Sequence, residues 1–293
     1  MEGRVIKLLA GYYFVQAGAT LLRCRGRGKL RLLDETPCVG DLVEVVALDA
    51  GEGVVEAILP RLNMLERPLV ANVSQVVVVA AMTSPEPNLA LVDRVLVAAE
   101  AFALQGVVFL NKADLRVRKE LRDIYEKADY RVIEGSLAGS DELGELLEVL
   151  RGHTSVLAGQ SGVGKSSLVM RLRPELDLAV GEVSAKTRHG RHTTRHVELY
   201  YLPTYDAYIA DTPGFSRFDL PKGLSSHNLA GFFPEMRFAR EQCRFGNDCR
   251  HVSEPGCEVR TGILPRGEMA LERYESYLAL LEEIRQQERN QYK

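Results

Sequence analysis

The chain has 293 residues, enough for two or three domains, and its 46% hydrophobic and 26% charged content excludes wholesale disorder. Lys and Arg number 37 against 40 Asp and Glu, a net charge of −3 that excludes a globally basic nucleic-acid binder but leaves room for local basic surfaces. No stretch approaches the roughly 18 apolar residues of a membrane helix, and Met1 to Phe14 lacks the ordered regions of a leader peptide, so a cytoplasmic chain without membrane contact is expected.

Residues 1–66 read as a small β-barrel of OB type. Short apolar runs at Arg4 to Leu8, Tyr12 to Val15, Thr20 to Leu22, Leu42 to Val46 and Gly53 to Ile58 alternate with glycine-bearing turns. Seven Lys/Arg and one acid among residues 1–31 give a local charge of +6. That charge is either a solvated strand edge or a surface for a phosphate backbone. Cys24 and Cys38 are read as thiols without a role. Pro68 opens a second regime, residues 67–221. Strand runs at Val73 to Met82, Gly106 to Leu110, Tyr130 to Ile133, Ser155 to Ala158, Val197 to Leu202 and Tyr208 to Ala210 alternate with helical spacing at Asn88 to Leu104, Arg118 to Lys127, Leu143 to Leu150 and Lys165 to Leu172. This alternation predicts a parallel sheet clad by helices. Residues 222–293 carry a Cys/His cluster and a terminal helix, Glu268 to Gln287. That helix places Leu271, Tyr274, Leu278, Leu281 and Ile284 largely on one face, to pack on the cluster domain.

Chemistry concentrates in four motifs. Gly159-Gln160-Ser161-Gly162-Val163-Gly164-Lys165-Ser166, followed by Ser167, is a phosphate loop between a predicted strand and a predicted helix. Its glycines let backbone amides converge on phosphates, Lys165 reaches the β- and γ-phosphates, and the Ser166 hydroxyl ligates magnesium. Asn111-Lys112-Ala113-Asp114 ends a strand. The Asp114 carboxylate accepts from guanine N1–H and the exocyclic amine, Asn111 orients the base and Lys112 covers its face; adenine has no such donor pair. Asp211-Thr212-Pro213-Gly214 follows another strand, with Asp211 toward magnesium and the Gly214 amide toward the γ-phosphate. Between Lys186 and His196, a polar stretch holds Gly190-Arg191-His192-Thr193-Thr194, where a switch threonine, Thr193 or Thr194, would close over the metal and γ-phosphate. Phe215 stands where many GTPases carry the glutamine that orients water. Either a partner completes hydrolysis, or His192 supplies the polar group.

Three of the five cysteines lie within 15 residues, in the pattern Cys243-x5-Cys249-x-His251-x5-Cys257. Three thiolates and one imidazole make a closed tetrahedral zinc site of structural type. The base-reading motif precedes the phosphate loop, the reverse of the ordinary GTPase order, so the chain reads as circularly permuted.

In that permuted order, the phosphate loop, the Asn111 to Asp114 motif, Gly190 to Thr194, Asp211 to Phe215, the leading barrel and the trailing cluster together resemble the ribosome small subunit-dependent GTPase A family. The resemblance covers essentially the whole chain. It implies an OB-type barrel, a permuted P-loop GTPase domain and an α-helical zinc domain. It also implies GTP hydrolysis to GDP stimulated by the small ribosomal subunit, late in that subunit's maturation, with rRNA as partner of a monomeric chain. The family's guanine-contacting serine–alanine loop corresponds to Gly135-Ser136-Leu137, where Leu137 departs from the usual small residue. Two other readings remain at this stage. One is a metal-delivery chaperone whose cluster opens with GTP state; the other is an RNA-binding module with a vestigial nucleotide fold.

Overall fold

The computed structural model describes residues 1–28, 36–139, 143–173, 197–211 and 219–291. The chain divides into two compact units, each built from three segments. One comprises Met1–Gln75, Asp141–Leu157 and Gly164–Phe215; the other comprises Val76–Ser140, Ala158–Val163 and Ser216–Lys293.

In the first unit, five strands form a closed barrel: β1 (Glu2–Leu9), β2 (Tyr12–Ala17), β3 (Thr20–Gly26), β4 (Leu42–Ala47) and β5 (Glu52–Ile58). Their order is β1-β2-β3-β5-β4, with β4 returning to β1 and β3 parallel to β5. Period-two alternation fills its interior with Val5, Val15, Leu22, Cys24, Val43, Val45 and Val55. Arg23 and Arg25 alternate with the buried Leu22 and Cys24 and face outward. The basic run, read as either a solvated strand edge or a phosphate-backbone surface, is largely paired within the fold among the described residues. Arg23 pairs with Glu52, Arg27 with Glu56 and Lys7 with Glu198, while Arg25 bonds the Tyr12 hydroxyl. A short hairpin, β6 (Met64–Glu66) with β7 (Leu69–Ala71), follows the barrel. Three-residue strands are below the length at which apolar alternation is legible, and the sequence reading had none there.

The same unit carries helix α3 (Gly144–Leu150), strand β11 (Thr154–Ala158, of which residues 154–157 lie in this unit), helix α4 (Lys165–Leu172) and the strands β12 (Glu198–Leu202) and β13 (Ala207–Asp211). β11 and β13 are parallel, as expected. β12 is antiparallel to β13 because only Pro203 to Asp206 joins them, far too few residues for a crossover. β12 also pairs with β1, so barrel and sheet are continuous within this unit.

The second unit is built on β8 (Gln75–Ala81), whose residues from Val76 on lie here and are all buried, with β9 (Gln105–Asn111) beside it and β10 (Arg131–Glu134) parallel to β9. Helix α1 (Leu89–Ala101) is capped by Asn88, whose Oδ1 accepts from the Leu91 amide at 3.0 Å. Helix α2 (Lys119–Glu126) follows β9. Beyond residue 219 the described residues contain no strand. Short helical turns, α5 (Arg237–Glu241) and the long helix α6 (Leu271–Gln291) enclose Phe233, Met236, Cys257, Tyr277 and Leu281.

The face of α6 differs from the expected one. Leu271 is 57% exposed, whereas Arg273, Ser276, Tyr277 and Leu280 are buried beside Tyr274, Leu281 and Ile284. The helix packs on α1 as well as on the cluster region. Arg273 bonds Asp93 of α1 at 2.7 Å and clasps both oxygens of Glu235 at 2.7 and 3.0 Å. A buried arginine is invisible to apolar periodicity, which is why the stripe was drawn one row away. No helix among the described residues is long and apolar enough to cross a membrane.

Candidate functional site

β11 ends at Ala158 and the glycine loop turns into α4 at Lys165. Gly159, Gly162 and Gly164 take φ of +138°, +80° and +107°, values that side chains with a Cβ rarely adopt. At Gly159 a Cβ would also collide with the backbone carbonyl oxygen of Val79, so glycine is required twice over. Lys165 is largely buried at 9% exposure, while Ser166 and Ser167 are exposed at the helix start, where the helix dipole favours an anion.

Within the second unit one side chain knots three loops together. Asn111, 2% exposed at the end of β9, donates from Nδ2 to the Val163 carbonyl at 2.7 Å. Its Oδ1 accepts from the Lys112 amide at 2.8 Å and the Leu137 amide at 3.3 Å. The Asn111–Asp114 turn, the glycine turn and the Ser136–Leu137 loop are therefore brought together, although the two turns stand in reversed order along the chain. Lys112, at φ +66°, lays its ammonium against the carbonyls of Ser84 and, at 3.4 Å, Gly162. Gln160 Oε1 accepts from the Asn88 amide at 3.0 Å, coupling the loop to the cap of α1. Ser136 is buried, its Oγ accepting from the Ala138 amide at 3.1 Å. Asp114 stands exposed beyond Lys112, open to a ligand. The contacts of Ser84 and Asn88 were missed by the sequence reading, because neither residue belongs to a recognisable motif.

In the first unit Asp211 is the last residue of β13, in register with Glu198. His192, Thr193, Thr194, Gly190 and Arg191 lie outside the described residues, as do Thr212, Pro213, Gly214 and Phe215.

The cluster is a second centre, in the second unit. One ligand atom from each of Cys243, Cys249, His251 and Cys257 lies within 4.8 Å of the others, and all four residues are buried. His251 Nδ1 is 3.6 Å from Cys243 Sγ and 3.4 Å from Cys257 Sγ. A tetrahedral ion with metal–ligand bonds of about 2.0–2.3 Å needs ligand separations of about 3.3–3.8 Å; both His251–sulfur distances fall in that range, and the four donors suit a metal. Burial pushes the Cys249 thiol up to about 12 and the His251 imidazole down to about 4. Neutral imidazole is the ligating form, and a buried thiolate needs a cation to offset its desolvation. The surrounding shell is built from the backbone. Tyr274 and Tyr277 donate to the carbonyls of His251 and Arg250 at 2.7 and 2.8 Å, and the Glu258 amide donates to Cys243 Sγ at 3.3 Å. The Glu254 carboxylate accepts the amides of Arg250, Val252 and Ser253, and these bonds outweigh burial to hold it below its ordinary range. Tyr277 was missed because its function is to hold a carbonyl, for which no sequence signature exists.

A five-stranded barrel, an Asn111–Asp114 turn that precedes in sequence yet touches the glycine loop, and a buried Cys3His centre define a circularly permuted GTPase, with the barrel before it and the metal cluster after it along the chain. The RsgA GTPase family pattern matches residues 58–221, and the RsgA N-terminal domain pattern matches residues 2–55. The small ribosomal subunit biogenesis GTPase RsgA of Carboxydothermus hydrogenoformans is 45% identical over 293 residues, covering 99% of this chain and 100% of the relative. Its counterpart in Alkaliphilus metalliredigens is 44% identical, covering 98% and 99%. Among solved structures, the circularly permuted GTPase YloQ superposes with a TM-score of 0.79 at 34% identity, over 98% of this chain and 95% of that one. YjeQ from Thermotoga maritima gives 0.79 at 33%, over 97% and 98%. The chain belongs to the RsgA GTPase family and is a GTP-hydrolysing enzyme.

Proposed function

We propose that this GTPase acts late in small ribosomal subunit maturation, converting GTP to GDP and phosphate when that subunit engages it. The observation that carries the nucleotide part is the Asn111–Val163 bond, which gathers base-reading and phosphate-binding turns at one place. The partner is inferred from the relatives' names together with the two lobes that flank the GTPase. The domain assignment is residues 1–66 as an RNA-binding barrel, 67–221 as the GTPase and 222–293 as the metal lobe. The chain works as a cytoplasmic monomer without membrane contact.

In this reading Asp114 selects guanine, Asn111 and Lys112 hold the base, and the Ser136–Leu137 amides border its carbonyl. Residues Gly159 to Ser167 cradle the phosphates, with Lys165 neutralising charge that grows on the β–γ bridge. Ser166 and Asp211 hold magnesium, which when bound neutralises phosphate charge. The Gly214 amide and Thr193 or Thr194 sense the γ-phosphate, and His192 orients water when the partner is engaged. Zinc is the metal of the Cys3His centre, by donor softness and closed four-ligand geometry. Burial of all four ligands argues against metal delivery, which needs an exposed and labile site.

The deciding experiment compares GTP and ATP hydrolysis with and without purified small subunits. GTP-selective turnover that rises with subunits, and subunit binding that weakens with salt, are expected. A rate indifferent to subunits overturns the assignment.

A further inference from the structure

Strand β1 serves both the barrel and the strand pair β12–β13. Glu2 to Arg4 pair with β4 and close the barrel. Between Val5 and Lys7 the register against β2 slips, leaving Ile6 as the extra residue of a bulge. Such an insertion bends a strand and increases its twist. Past the bulge, Lys7 pairs with Glu198 of β12, among the described residues the one register pair joining β1 to β12. Glu198 is in turn the register partner of Asp211 in β13. Lys7, Glu198 and Asp211 therefore occupy one row across three strands, from the barrel to the end of β13.

Charge reinforces the row at its barrel end. Lys7 Nζ lies 2.9 Å from Glu198 Oε2, with the two side chains 34% and 30% exposed. A second tie runs alongside. The Arg4 guanidinium sits 4.9 Å from the centroid of the Tyr208 ring, three residues before Asp211 on β13, and donates to the Gly40 carbonyl at 3.2 Å. Two of the cations that read in sequence as candidates for phosphate contact are thus committed to the strand pair leading to Asp211.

We propose that Lys7 and Glu198 are positioning residues through which the barrel fixes the placement of Asp211, and with it the magnesium dependence of GTP hydrolysis. The proposal rests on the reading of Asp211 as a magnesium-holding residue. Without the ion pair, β12 keeps its bonds to β13 but is held to the barrel by its backbone pairing with β1 alone, and the end of β13 gains freedom.

The test is a magnesium titration of GTP hydrolysis by the full chain at saturating GTP, paired with affinity for a fluorescent GDP analogue in EDTA. Lys7→Met and Glu198→Gln should each raise the half-saturating magnesium about three- to fivefold, the scale of a half-exposed ion pair. Magnesium-free GDP affinity should not move. Lys7→Arg should behave as the parent, and the exchange Lys7→Glu with Glu198→Lys should restore the parental value. Single variants with unchanged magnesium dependence, or a shift that the exchange does not restore, overturn the proposal. Asp211→Asn separates the two levels. If it leaves magnesium dependence unchanged, the reading of Asp211 falls and the row falls with it; if it shifts while Lys7→Met and Glu198→Gln do not, the positioning role alone falls.

Discussion

Replacing Arg273 by methionine removes the cation from a buried triad and leaves its volume nearly filled. The guanidinium is 0% exposed, and its partners Asp93 and Glu235 are 1% and 3% exposed. It also lies 4.9 Å from the Phe233 ring centroid and 5.3 Å from that of Tyr130. Burial works against its charge, but the two carboxylates together outweigh that and keep it protonated. Without it both carboxylates are stranded in a dry site. Breaking one buried pair costs about 3–5 kcal/mol, a large share of the roughly 5–15 kcal/mol that holds a domain folded. The second unit should accordingly lose at least about 3 kcal/mol at pH 8.

The loss should depend on pH, with a fixed sign. Burial already pushes the Asp93 carboxyl above its ordinary value against the pull of Arg273, and removal of that pull raises it further. A carboxyl whose folded pKa exceeds its unfolded one favours folding while protonated, an advantage lost as pH rises through the folded value. The variant's deficit should therefore shrink from pH 8 toward pH 5. Denaturant unfolding at both pH values, followed by tyrosine fluorescence, reads this out. Adding Asp93→Asn and Glu235→Gln should recover most of the stability, since neutral partners no longer need the cation. A deficit under about 1 kcal/mol at pH 8, or one equal at both pH values, would refute the reasoning.

Four further outcomes are expected. Asn111→Ala strands the Val163 carbonyl and two amides, each worth about 1–3 kcal/mol, so GDP affinity by calorimetry should fall about tenfold or more. Asp114→Ala should instead erode the preference for GTP over ATP while hydrolysis itself persists. Metal analysis should return one zinc per chain in both GTP- and GDP-loaded protein, and stripping it should unfold the region around Cys243 to Cys257 before the barrel, seen as a separate low-temperature transition. His192→Ala should lower subunit-stimulated kcat about a hundredfold with nucleotide affinity intact; an unchanged kcat would return water activation to the partner.

The sequence alone determined whatever is carried by local chemistry at fixed spacing. The glycine loop is legible because backbone amides can surround phosphates only where Cβ atoms are missing, and the collision a Cβ would make at Gly159 gives that reason in atoms. The metal ligands are legible because sulfur and imidazole at short intervals have few other uses. The barrel strands followed from alternation, since Leu22 and Cys24 turn inward while Arg23 and Arg25 turn outward. What the tertiary structure decided has no local trace. The meeting of Asn111 with Val163 spans 52 residues of chain. The burial of Arg273 depends on two carboxylates brought from helices and turns 180 and 38 residues away. The row from Lys7 through Glu198 to Asp211 exists because β1, bulged at Ile6, pairs with β4 at its start and with β12 past the bulge. Periodicity tells which face of an element is apolar; which charge will meet its partner across the chain is settled only when the elements pack.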